Sequence, residues 1–168
     1  PRCPTATPAH VELASVPQWR RIQRIAAEPA EAIDLAEVSA LLSQAADSSV
    51  DVDATLRRLD AMADEVRRAT PARCVGVCRV RLLTRYIFDV WRFRAAGDPN
   101  ELYNDPELDL IDRVLARREG YCEGLSLLYL ALGRRLGIPL VGVLARQHIY
   151  VRYVGEGGPI DLDATRRG

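Results

Sequence analysis

Residues 122–136, Cys-Glu-Gly-Leu-Ser-Leu-Leu-Tyr-Leu-Ala-Leu-Gly-Arg-Arg-Leu, constrain the fold of this chain more than any other stretch. Leu125, Leu127, Leu128, Leu130, Leu132 and Leu136 are spread almost all the way round a helical wheel. A helix that is apolar on every side has no face to offer to water, so it belongs at the buried centre of a domain. Gly137 is its natural C-terminal stop and Pro139 follows.

The segments upstream are amphipathic and suited to cover it. Residues 1–14 are rich in proline and alanine and predict a loose N-terminal segment. A helix is expected from Ser15, with Pro17 in its first turn, Trp19, Ile22 and Ile25 on one face, and Pro29 as its end. Ile33, Leu35, Val38, Leu41 and Leu42 form a second helical stripe within residues 31–46. Asp51 or Asp53 can cap a third helix, with Leu56, Leu59, Met62 and Val66 on one side, Arg67 and Arg68 in its last turn and Pro71 as its stop. Residues 15–70 therefore read as a helical N-terminal subdomain, and 71–168 as the core. In that core a helix is expected over Cys78–Phe93, and a break at Gly97-Asp98-Pro99-Asn100. An ordered turn at Tyr103-Asn104-Asp105-Pro106 leads to a short helix carrying Leu108, Ile111, Val114 and Leu115 that ends at Gly120.

After Gly137 the period changes. Residues 140–146 and 148–154, rich in Val, Ile, Leu and Tyr, read as strands, and 159–163 as a third short one after the Gly155-Glu156-Gly157-Gly158 turn. Helices followed by antiparallel strands indicate an α+β fold, with the Cys122 helix packed on a small antiparallel sheet.

A thiol at a helix N-terminus is a candidate thiolate, because unpaired N–H groups and the helix dipole favour the anion. Cys122 holds that position, His148 opens a strand, and Asp161 and Asp163 lie on the next strand. A two-residue loop at Gly155-Glu156 would set His148 opposite Asp163. A four-residue loop would set Asp163 one diagonal away on the same face, and a three-residue loop would part them. Asp161 shares the parity of Asp163 and is an alternative orienter. The histidine would take the thiol proton and return it to a leaving amine, and the aspartate would hold the imidazole tautomer. The first N–H groups of the 122–136 helix could stabilise an oxyanion. Gly120 and Gly124 would leave room for a substrate backbone beside the thiol. Against this, a cysteine opening a buried helix is more often plain packing, a lone histidine is often structural, and the aspartates could be turn residues.

Gly120-Tyr121-Cys122-Glu123-Gly124, the leucine-rich helix, Arg135-Leu136-Gly137-Ile138-Pro139, His148-Ile149-Tyr150-Val151 and Asp163-Ala164-Thr165 together resemble the core of the transglutaminase-like superfamily, a papain-like Cys-His-Asp fold. The resemblance implies Cys122, His148 and Asp163 as the triad. The wider chain, about residues 17–168, is similar to the SirB-type bacterial branch, with a helical part before the core. Ile33-Asp34-Leu35-Ala36-Glu37, Tyr103-Asn104-Asp105-Pro106 and Asp112 to Gly120 carry that likeness. Many members of the branch lack the cysteine, which this chain keeps. They often continue into tetratricopeptide repeats, whereas the sequence here stops at Gly168. Ala164 stands in place of a proline, and Glu123 in place of the tryptophan that often follows the family cysteine.

What the resemblance implies is a cysteine-dependent acyl-transfer enzyme acting on peptide or side-chain amides through a thioester. Hydrolysis, as in a protease, amidase or deamidase, ranks first because water suffices as the acceptor. Transglutaminase crosslinking and a non-catalytic protein-interaction domain are the alternatives. Tyr103, Tyr121 and Glu123 are candidate cleft residues. The expected partner is a protein or peptide substrate, with no cofactor.

Composition narrows the remaining classes. The 168 residues carry 23 basic and 23 acidic side chains, all the basic ones arginine, for a net charge of zero. Nothing steers such a chain to nucleic acid, and 6% aromatic content with arginines interleaved among acids fits that. The absence of lysine fits a GC-rich genome, or an enzyme that avoids modifying itself. No apolar run reaches the roughly 18–20 residues of a membrane span. His10 and His148 are far apart, and no metal-ligand spacing is present. Cys74 and Cys78 lack zinc spacing and read as structural thiols. With Cys122 reserved for chemistry, Cys3, Cys74 and Cys78 cannot all pair within one chain, which favours the cytoplasm. The start at Pro1, without Met, leaves a secreted, processed origin open.

Overall fold

The computed structural model describes residues 17–97 and 105–168. The expected loose segment 1–14, the helix start at Ser15, Cys3, His10, and the turn and cleft position at Tyr103 lie outside the described residues, as does Asp98-Pro99-Asn100.

Helix α6, Cys122–Leu136, is the axis of the molecule. It touches α2 (Leu35–Ala46), α3 (Val52–Ala69), α5 (Ile111–Arg117) and strands β3 (Leu140–Ala145) and β4 (His148–Tyr153). Leu125, Leu128, Tyr129 and Leu132 are fully buried, as an all-round apolar helix requires. Burying a leucine contributes about 1.5–3 kcal/mol. Gly137 ends α6 with φ 62°, where a side chain would be strained. Gly133 admits β3 closely: a Cβ there would stand 2.6 Å from Leu140 Cδ1.

Helix α1, Pro17–Ala26, and α2 pack beside one another, and Asp34 and Asp51 cap α2 and α3 by accepting from Ala36 N–H at 3.0 Å and Ala54 N–H at 2.8 Å. One continuous apolar core joins Ile25 and Leu41 to Leu128, Val151 and Ala164. Ser39 Oγ accepts from Ile111 N–H at 3.0 Å, and Ser43 Oγ donates to Asp112 at 2.5 Å, so two small polar residues of α2 seat α5. At the far end of α6, Arg135 reaches Asp34 at 2.9 Å and Asp60 at 2.7 Å with its side chain only 12% exposed. Arg135→Ala is expected to destabilise the protein by about 2 kcal/mol, read as a lower urea midpoint at unchanged slope. An unchanged midpoint would refute this account of how α2, α3 and α6 are tied.

The helix expected over Cys78–Phe93 divides into α4, Val77–Arg85, and a π-helical turn, Tyr86–Val90. Trp91 N–H reaches back to Tyr86 O at 2.8 Å, and its Nε1 donates to Glu65 at 3.1 Å. The extra residue re-aims the chain into β1, Arg94–Ala95, which pairs in parallel with β2, Glu119–Gly120. This bridge pins the segment that enters α6. The short helix before it ends at Arg118, with φ 54°, rather than at Gly120.

Cys74 and Cys78 form a disulfide, not the free structural thiols expected. The turn entering α4 brings their Cα atoms to 5.2 Å, within disulfide reach. A disulfide is the bond of an oxidising compartment, so the cysteines by themselves no longer favour the cytoplasm. Cys122 is the free cysteine among the described residues.

Strands β3, β4 and β5, Ile160–Leu162, form an antiparallel sheet in that order. Val151 opposes Leu162 and Arg152 opposes Asp161, the register of the four-residue loop. Val151 and Tyr153 are buried on the face toward the core, so His148, Tyr150 and Arg152 occupy the other face. No helix among the described residues is long and apolar enough to cross a membrane.

Candidate active site

Cys122 is the first residue of α6 and is half-buried. Its helix start has no side-chain cap from Tyr121. Asp109 supplies one instead, its Oδ1 accepting from Gly124 N–H at 3.3 Å. Leu125 N–H is satisfied by Tyr121 O at 3.0 Å. Among the described residues no acceptor meets the N–H groups of Cys122 and Glu123, so two donors stand beside the thiol.

One turn along α6, the buried Ser126 donates to Ile149 O at 3.4 Å. Ile149 follows His148, so the N-terminal end of α6 is fastened to the beginning of β4. At the other end, Gly133 lies against Leu140, whose partner is Tyr153. Between these two fixed points, helix and strand run alongside each other. Continuing both toward the earlier end leads to Cys122 and His148, whose side chains share no hydrogen bond.

His148 Nε2 is 3.2 Å from Asp163 Oδ2. The atom is buried and off the line of a well-formed hydrogen bond, with no other partner. The two groups approach closely, and catalytic hydrogen bonds are often loose before substrate arrives. The ring as a whole is 33% exposed, so its solvent-facing edge lies away from Nε2.

Asp163 is itself held in place. Oδ1 accepts from Thr165 N–H at 3.0 Å and Thr165 Oγ1–H at 2.6 Å, capping a 3-10 turn over Ala164–Arg166. That leaves Oδ2 to face His148, with the exposed Arg166 Nε 3.6 Å from the same oxygen. Burial pushes the carboxyl up, but the Thr165 bonds and then His148 outweigh it, and Asp163 stays below the ordinary carboxylate range. Thr165 thus fixes which oxygen faces the imidazole. The Asp-x-Thr spacing is a familiar turn signal that could have shown this.

Asp161 goes elsewhere. Both of its oxygens bind Arg152, at 2.5 and 2.9 Å, directly across the strand pair. Arg152 also donates to Tyr150 Oη at 3.1 Å, and the Tyr150 ring stacks toward His148 at 6.4 Å between centroids.

The space expected at Gly120 and Gly124 is occupied by the protein itself. A Cβ on Gly120 would stand 3.1 Å from both Leu108 O and Val114 Cγ2, and one on Gly124 would be 2.7 Å from Val114 Cγ2. These glycines admit the 105–115 segment, not a substrate backbone. Tyr121 contributes backbone bonds at the helix entrance, with its N–H donating to Leu108 O at 3.3 Å. Glu123 lines a cavity of about 260 Å³ together with Asp109, Leu127 and Ile149.

Sequence reading missed Asp109. Burial, and then the nearby Glu123 charge, raise its carboxyl above the usual value, against the Gly124 N–H bond. A group raised in the folded state costs stability once it is ionised. The cost is absent below the unfolded pKa, near 3.8, and grows as pH rises through the folded value. Asp109→Asn, which keeps an acceptor for Gly124, is therefore expected to be more stable than wild type at neutral pH, with the gain gone by about pH 3.8. Urea unfolding of both proteins across that range tests it, and a gain that grows on acidification would contradict it.

Among the described residues no cluster of His, Cys, Asp or Glu could hold a metal ion. What the fold and site define is an α+β protein whose cysteine-bearing central helix packs on a small sheet that carries a His–Asp pair. The chain belongs to the transglutaminase-like superfamily, which it matches over residues 53–168. Cysteine-based catalysis is common in that superfamily. Two curated relatives, each called "UPF0162 protein", come from Xylella fastidiosa strains Temecula1 and 9a5c. Each is 27% identical over 160 residues, which is 94% of this chain and 54% of the relative. The chain thus spans about half the length of the curated relatives it matches. No solved structure matches it.

Proposed function

We propose that the protein is a cysteine-dependent acyl-transfer enzyme that hydrolyses peptide or side-chain amides through a thioester, with Cys122 as nucleophile, His148 as base and acid, and Asp163 as orienter. The observation that carries this reading is the 3.2 Å approach of His148 Nε2 to an Asp163 oxygen whose partner oxygen is already taken by Thr165. With Nε2 beside the carboxylate, a proton on Nε2 would leave the imidazole lone pair on Nδ1.

In this scheme Nδ1 takes the Sγ proton and Sγ bonds to the amide carbon. The carbonyl electrons move to oxygen, which the N–H groups of Cys122 and Glu123 can receive. Collapse breaks the C–N bond, and Nδ1–H returns the proton to the departing amine. Water then attacks the thioester, giving its proton to Nδ1, and the acid leaves as the thiol re-forms. An amine in place of water would give crosslinking by the same steps. Placement in the SirB-type branch rests on the sequence pattern and belongs to the same proposal.

In a Cys3→Ser background, a thiol-directed activity probe should label the protein that keeps Cys122 and leave Cys122→Ala unlabelled, since Cys74 and Cys78 are bonded to each other. Equal labelling of the two proteins would sink the reading. Ammonia or a new amino terminus released without uptake of a fluorescent amine marks hydrolysis, and uptake marks transamidation.

A further inference from the structure

We infer that the cavity beside Cys122 receives one substrate side chain, an aliphatic chain ending in a cation, as in lysine or arginine. This rests on the acyl-transfer reading of the same site. The cavity measures about 260 Å³. That is below the roughly 300–1,000 Å³ of pockets that enclose a drug-sized molecule, and suits a single side chain. Two of its walls, Glu123 and Ile149, are the chain neighbours of Cys122 and His148. Cys122 does not itself line the cavity, but its Cα is ~3.8 Å from that of Glu123, so the cavity begins one residue from the proposed nucleophile.

Val38, Leu110, Leu127 and Ile149 make the lining largely apolar, and Asp109 and Glu123 add two carboxylates. No arginine lines it. Nearby carboxylates are neutralised by arginines: Asp105 and Glu107 by Arg117, Asp47 and Asp112 by Arg113, Asp34 by Arg135. Asp109 has only the Gly124 N–H, and Glu123 has no hydrogen bond or ion pair among the described residues. Two like charges over an apolar lining repel each other, and a hydrocarbon ligand would strip water from them without compensation. A lysine or arginine stem covers the apolar lining while its head meets both carboxylates. An acidic side chain would add a third negative charge.

The test measures binding of fluorescent tetrapeptides that differ at one position, carrying Lys, Arg, norleucine or Glu, to the Cys122→Ala protein by anisotropy. Peptide ketones with the same four residues beside the electrophile report on the thiol in wild type. The Lys and Arg peptides should bind about tenfold tighter than norleucine, with Glu weakest. Asp109→Asn combined with Glu123→Gln should bring the Lys-to-norleucine ratio to about one, and Glu123→Lys should turn the preference toward Glu. Urea midpoints establish that each variant is folded. Equal binding of Lys and norleucine, a preference that survives the double substitution, or no binding by any peptide overturns the pocket assignment. Failure of every ketone to label wild type, beside an intact Lys preference in the binding arm, overturns the acyl-transfer reading and leaves the pocket standing.

Discussion

Replacing Asp163 with asparagine is expected to lower turnover by roughly 10⁴-fold, close to the loss from Cys122→Ala or His148→Ala. The reason lies in Thr165. Its N–H and O–H both donate to Asp163 Oδ1, so the carbonyl oxygen of an asparagine would stay with Thr165. The amide NH₂ would then replace Oδ2 and face His148 Nε2. Two donors cannot share that contact, so the ring would turn to its other tautomer, place its proton on Nδ1 and lose the lone pair that takes the thiol proton. Asp161→Asn should leave turnover within about twofold, because a change to an exposed ion pair of this kind is worth little and Asp161 is held by Arg152 on the strand pair. The comparison is steady-state kcat/KM of the four variants on any peptide amide that wild type cleaves. Equal losses for the two aspartates, or no loss for Asp163→Asn, would remove the orienter from the scheme.

Gly124→Ala is expected to give the largest stability loss of a single methyl group in this protein, about 3 kcal/mol. The added Cβ would drive into the Leu108 carbonyl oxygen, stand 2.7 Å from Val114 Cγ2 and 3.2 Å from Asp109 Cα. Two of these three atoms are backbone, and Val114 is fully buried, so none can swing aside. Relief requires moving the 105–115 segment away from α6, which also breaks the Asp109 cap on Gly124 N–H. A denaturant midpoint shows the loss. Gly137→Ala is the contrast, because its Cβ would meet nothing within 4 Å and only φ 62° opposes it. If Gly124→Ala were no worse than Gly137→Ala, the close approach would not be what Gly124 is for.

Much of the architecture was legible where the signal is local. The bounds of α6 follow from an unbroken apolar run closed by Gly137. The cap at Asp51, one of two aspartates the sequence offered, follows from a side chain that bonds within its own turn. The β4–β5 register was legible only as three alternatives at the Gly155 to Gly158 turn, and the structure takes the four-residue one. Features that depend on another segment were not legible. The π-helical turn at Tyr86–Val90 and the stop at Arg118 make the β1–β2 bridge possible, and neither carries a local signature. The Cys74–Cys78 bond needed the turn into α4 to bring the two residues together.

At the site the division is similar. Residue types, chain order and strand parity named Cys122, His148 and two aspartates, because side-chain alternation is a property of the strand itself. Parity cannot separate Asp161 from Asp163, since both point the same way. The neighbours decide it: Arg152 across the strand claims Asp161, while Thr165 turns one oxygen of Asp163 away and leaves the other for His148. The sequence by itself determined the elements, the candidate chemistry and the face on which it lies, all consequences of short-range periodicity. Only the tertiary structure decided the pairing, the use of Gly124 and the charged pocket at Asp109, because those depend on which segments approach through space.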